Sequence, residues 1–135
     1  MSSVLPVIVA RLASALPDAT VVGGRAPDTP DELLLVRSSP AGSPTDLNAS
    51  GRAAIEYHAI QVLARALAID DAEALAWSAY HALPARHLED TGGRIDWLTA
   101  NHAPAHVGFD QNDRAIVSVN FTLQRWGDLT EEEDE

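Results

Sequence analysis

The sequence predicts an α+β domain, with a mixed, mostly antiparallel sheet of about 4–6 strands and two helices packed on it. Three observations predict it. Leu5, Ile8, Leu12 and Leu16 recur at helical spacing. The segment D-D-A-E, at Asp70 to Glu73, opens a second helical pattern that Pro84 closes. Near the C-terminus, Val117, Val119, Phe121 and Leu123 alternate with Ser118, Asn120, Thr122 and Gln124, the two-residue period of a strand with one buried face.

The first helix is expected from Ser2 or Ser3 to Pro17, with Pro6 tolerated in a first turn that needs no N–H there. Thr20 to Val22 reads as a short strand broken by Gly23 and Gly24, and A-P-D-T-P-D as a turn-rich link. Leu33 to Arg37 is apolar for four residues running, which places it inside the sheet with both faces covered. Residues 38–52 concentrate Pro, Gly, Ser, Asn and Asp without periodicity and read as a long loop, either a mobile connection or an interaction arm.

Ala53 to Leu67 is ambiguous. Ile55, Ala59, Val62 and Ala66 fit a helix, whereas Glu56, His58, Ile60, Val62 and Ala64 fit alternate strand positions. Its β-branched and aromatic residues, and the capping-box pattern that follows, favour a strand over about 54–65 and then a helix from Asp71 to Leu83. Ala72, Leu75, Ala76, Ala79 and Leu83 would face the sheet, flanked by Trp77 and Tyr80. After a link at 85–93, strands are expected at 95–100, 105–109 and 114–126, forming a C-terminal antiparallel meander. The polar parity of the last strand should face solvent or a neighbouring subunit.

Composition narrows function by exclusion. The 135 residues suit one domain, expected over 1–126, and 46% hydrophobic content suffices for one core. Residues 127–135 are expected to be an acidic, disordered tail, either a solubility device or a contact for a basic partner. The absence of cysteine excludes disulfides and thiolate metal sites. Arg11 interrupts the apolar start, so neither a signal peptide nor a membrane span is expected. With net charge -11 and nine basic residues, all arginine, the chain is a poor holder of nucleic-acid phosphates.

Motifs for chemistry are weak. His102 and His106 have the spacing of a helical zinc pair, but Pro104 lies between them. Asp110, Asn112 and Asp113 lack the glycine and distal glutamate of a calcium loop and fit a hairpin turn. A serine elbow and a phosphate-binding glycine fingerprint are both missing. Asp96 beside Trp97 is the one carboxylate worth inspecting as an acid or base. No catalytic residue, cofactor or metal is therefore expected.

The run L-L-L-V-R with its following loop, the segment E-Y-H-A-I-Q-V-L leading into D-D-A-E-A-L-A-W-S-A-Y-H-A-L, and the closing D-Q-N-D-R-A-I-V-S-V-N-F-T-L-Q-R-W carry a resemblance. Over about residues 3–126 the chain resembles tail terminators of long-tailed bacteriophages, including the minor capsid protein family. The resemblance implies a non-enzymatic virion protein at the head–tail junction, assembled in the host cytoplasm. Such a protein forms a ring, commonly hexameric, that caps the tail tube and ends its polymerisation. Implied partners are its own copies, the major tail tube protein and a head-completion or connector protein, with DNA only passing through and no membrane. Arg37, Asp46, Arg52, Ser118, Asn120, Thr122 and Gln124 are the expected oligomer or tube contacts. Two alternatives stand beside it: a connector protein of the same neck, and a small α+β enzyme or ligand-binding domain with a pocket near Asp96, Trp97 and His106.

Overall fold

Two strands of 14 residues each, β4 (Ala53–Ala66) and β8 (Ala115–Asp128), pair antiparallel from end to end and form the spine of the protein. The computed structural model describes residues 5–38, 45–47, 53–90 and 93–128, with side chains for 5–38, 57–84 and 97–124. In chain order the elements are α1 (Leu5–Ala15), β1 (Val21–Gly23), β2 (Leu33–Ser38), β3 (Thr45–Leu47), β4, α2 (Ile69–Ala82), β5 (Ala85–Asp90), β6 (Gly93–Ala100), β7 (Ala105–Phe109) and β8. The sheet path is β1-β2-β4-β8-β6-β5, with β3 added to β4 and β7 to β8. Only β1 and β2 are parallel neighbours; the other pairs are antiparallel.

Each spine strand carries two shorter strands on its outer flank. On β4, β2 takes Ile60 to Arg65 and β3 takes Ala54 to Glu56. On β8, β7 takes Ala115 to Ser118 and β6 takes Phe121 to Trp126. The predicted meander is therefore corrected: β6 and β7 do not lie side by side but follow one another along the same edge of β8.

One parity of the spine makes the core. Ile60, Val62, Ala64 and Ala66 stand opposite Phe121, Val119, Val117 and Ala115 in register, and all eight are buried. Against them pack Ile8 and Leu12 of α1, and Ala72, Ala76 and Ala79 of α2 with Leu83 just beyond its end. Alanine on the packing face lets α2 approach the sheet closely. Gly23 does the same for α1, since a Cβ there would sit 3.1 Å from the Val9 side chain. Leu33 to Val36 are all buried, as expected of a strand covered on both faces.

Several predicted boundaries move. The α2 N-cap is Ala68 without a side-chain cap, so Asp70 and Asp71 lie inside the first turn, where their charges meet the positive end of the helix dipole. Within the expected loop at 38–52, Thr45–Leu47 forms β3, because the long β4 offers it unpaired backbone; residues 39–44 and 48–52 are outside the described residues. The expected link after α2 contains β5, which completes a hairpin with β6. Strand β8 runs to Asp128, and the acidic residues from 129 onward are outside the described residues.

Candidate interaction surface

The second face of the sheet is polar in a patterned way. Arg37 of β2, Gln61 of β4 and Asn120 of β8 occupy one rung. The Arg37 Nε donates to Gln61 Oε1 at 2.7 Å, and Gln61 Nε2 donates to Ser118 Oγ at 3.3 Å. Beyond β8 the stripe continues into the turn after β6. There Asn101 N donates to Asn120 O at 2.8 Å, and Thr122 Oγ1 donates to Asn101 Oδ1 at 2.9 Å. His102 Nε2 accepts the Asn120 backbone N–H at 3.2 Å and lies 3.0 Å from Asn120 Nδ2, while Nδ1 lies 2.7 Å from Ala103 O. A proton on Nδ1 satisfies all three contacts. Asn120 Oδ1 is buried without a partner, an acceptor left over by the network.

Five of the expected contact residues thus share this face: Arg37, Ser118, Asn120, Thr122 and Gln124. Gln124 stands between Tyr57 and Trp97 in register. Ser118 departs from the expectation, because it is buried, at 5% exposure, rather than facing solvent. Asp46 lies on β3 opposite Ile55, with its side chain outside the described residues, as is Arg52 altogether. Gln61, Asn101 and His102, which hold the stripe together, were missed by sequence reasoning. The available signal for Gln61 was its parity with Arg65 on the non-core side of β4.

At one end of this face two buried arginines pin a strap formed by residues 24–32. Arg65, 6% exposed, donates to the carbonyls of Pro27 (2.8 Å), Pro30 (2.7 Å), Asp31 (3.2 Å) and Asp28 (3.5 Å). Arg114, 5% exposed, donates to Asp28 O at 2.6 Å and Asp110 Oδ2 at 2.7 Å, with Asp28 and Asp31 carboxylates each 3.4 Å away. Arginine suits the task, because its fork of donors spans several acceptors at once. Desolvation pushes the Asp110 carboxyl up, but hydrogen bonds from Arg114 backbone and side chain and from the Asn112 N–H outweigh it and hold the group below its ordinary range. Burial, with Arg114 nearby, lowers the Arg65 guanidinium. Burial also lowers Arg114, yet its carboxylate partners, Asp110 first, leave it raised overall.

No reactive constellation forms among the described residues. Trp97 is level with Gln124 and His106 with Val117, seven residues or about 23 Å apart along β8. The alternative pocket near Asp96, Trp97 and His106 therefore does not assemble. His102 is held by Asn120, and His106 packs edge-on to Phe109 at 5.1 Å. The shallow depression between the end of α1 and α2 is lined by Ala15 to Ala19, Glu32, Leu75 and Ser78, and it sets no base beside a nucleophile.

Comparison with known proteins gives two findings. A family model described as bacteriophage tail terminator protein matches residues 9–125. A chain from the virion of a native gene transfer agent particle superposes with a TM-score of 0.60 at 21% identity, covering 86% of this chain and 84% of that one; at that identity the likeness concerns the fold. No curated protein matches the chain.

Proposed function

Because the chain belongs to the bacteriophage tail terminator family and is a structural protein of the phage tail, we propose that it assembles as a ring, commonly hexameric in form, that caps the tail tube and joins it to the head. The family match over 117 of 135 residues, from 9 to 125, carries this reading. The geometry supports it in two ways. Helices cover one face of the sheet, while the other presents half-buried polar groups in fixed positions, which suits contacts that must repeat from copy to copy. Net charge -11 suits a lumen through which DNA slides without being gripped.

On this reading Arg37, Asn120, Thr122 and Gln124 meet a neighbouring copy or the tube, and no bond is made or broken. The test is to add purified protein to polymerising tail tube protein of the same virion and measure tube lengths by electron microscopy. Shorter tubes with increasing protein, each ended by a ring, are expected. Unchanged lengths at excess protein, together with binding to the connector instead, would reassign it to the head side of the neck.

A further inference from the structure

Where the helices lie, the sheet is a five-strand layer, β1-β2-β4-β8-β7, and among the described residues β1 and β7 end it with no strand beyond. The register places these two edges at the same height. Val22 is level with Leu35, Leu63, Ser118 and Ala105, and Val21 with Leu34, Ala64, Val117 and His106. Following the pair directions across the layer, β7 runs antiparallel to β1. A second copy, turned about an axis parallel to the strands, would therefore bring its β1 beside β7 in an antiparallel ladder.

The two flanks also differ in the way such a contact requires. On the β7 flank, Ile69, Trp77, Val107 and Phe109 are exposed, four of the six large apolar side chains exposed among the described residues. Phe109 pairs with Ala115 and so stands on the helix-covered side. Trp77 lies about 200° around α2 from Leu75, which lines the depression beside α1, and so stands on the side of α2 away from α1. The patch is rimmed by exposed Asp70, Asp71, Glu73 and Asp113. On the β1 flank, the solvent side of α1 is small and uncharged, with Pro6, Ala10, Ala13 and Ser14 exposed. From Leu5 to Pro27 the charged residues are Arg11, Asp18 and Arg25. Arg25 is the one arginine among the described side chains whose guanidinium has no hydrogen-bond or ion-pair partner; those of Arg11, Arg37, Arg65 and Arg114 all have theirs.

We infer that the bulky, acidic-rimmed flank of α2 and β7 on one copy docks against the small-residued, arginine-bearing flank of α1 and β1 on the next, continuing the sheet from subunit to subunit. An unpaired edge with exposed apolar side chains invites another strand. Opposite flanks that fit each other, rather than themselves, generate a ring when the rotation closes. This interface rests on the ring reading above for its biological setting, but it makes a separate claim about which surfaces meet.

The cysteine-free chain allows a clean test. Val22→Cys and Ala105→Cys are introduced together and singly, and each protein is oxidised, concentrated alone and bound to tail tubes. The double variant is expected to give a ladder of covalent oligomers that collapses on reduction, while each single variant stays monomeric on a denaturing gel. Trp77→Ala with Phe109→Ala, in a double variant whose urea unfolding confirms that it is folded, should weaken association about tenfold or more by sedimentation. Dimers from either single variant would overturn the head-to-tail contact, as would a folded double variant that stays monomeric both alone and on tubes, or association untouched by the aromatic pair. If the unmodified protein shortens tubes while the ladder is missing, only this interface falls. If the ladder forms while tube lengths do not change, only the capping reading falls.

Discussion

The two faces of the same sheet are built on different physics. The helix-covered face is apolar along both spine strands, from Ile60 to Ala66 and from Ala115 to Leu123. On the opposite face the strap at 24–32 covers one end, and there the burial is of arginine on backbone carbonyls. Apolar burial is non-directional and tolerates near-neighbours of similar size. A charge buried on carbonyls depends on each acceptor being in place. The first face should therefore govern whether the protein folds, and the second how its surface is shaped.

Substitutions can break that contrast in graded steps. Phe121→Ala removes the largest fully buried side chain among the described residues and should cost about 3–5 kcal/mol in urea unfolding. Arg65→Ala leaves the carbonyls of Pro27, Pro30 and Asp31 without this donor, while Asp28 O keeps Arg114, and should cost about 2–3 kcal/mol. It should also raise amide exchange or proteolysis in residues 24–32 before the spine is affected. A global loss with the strap still protected would contradict the division of labour. Gln61→Ala, which cuts the stripe in the middle, should cost about 1 kcal/mol or less in stability. Its effect should appear instead in tube capping.

A pH series sharpens the same comparison. Asp110 has its folded pKa held below the ordinary value, so its contribution is present above the ordinary aspartate range and is lost as pH falls through the depressed folded value. The urea midpoint should drop on acidification, and Asp110→Asn should flatten that drop while lowering the midpoint at neutral pH. An identical slope in the variant would remove Asp110 from the account.

Legibility followed the same divide. The core face could be read from period two in β8 and from the apolar run in β2, because burial on one side leaves that mark. The strand at β4 needed β-branched residues to outweigh a helical pattern. What escaped detection depended on distant partners. Ser118 looked like a solvent-facing serine, yet it is buried beside Gln61, 57 residues away. Arg65 and Arg114 carry no local mark of burial in the sequence, because the strap that closes over them lies more than 30 residues away. Strands β3 and β5 are short additions to long ones, and their own sequences carry turn-like or charged residues. Of the contact residues expected at 118–124, the sequence shows their common face but not the histidine and asparagine that brace it.

The order of the spine strands along the chain sets a constraint on synthesis. Strand β4 ends at Ala66, and the partner that seals its inner edge does not begin until Ala115. Until β8 is made, the chain therefore carries a sheet whose central edge is still open. High sequence separation between paired strands slows such closure, and fragments stopped before about residue 115 should be protease-sensitive rather than partly native. The helix-covered core can therefore close only in a chain that already includes β8, so the last strand to be made is the one that locks the first half in place.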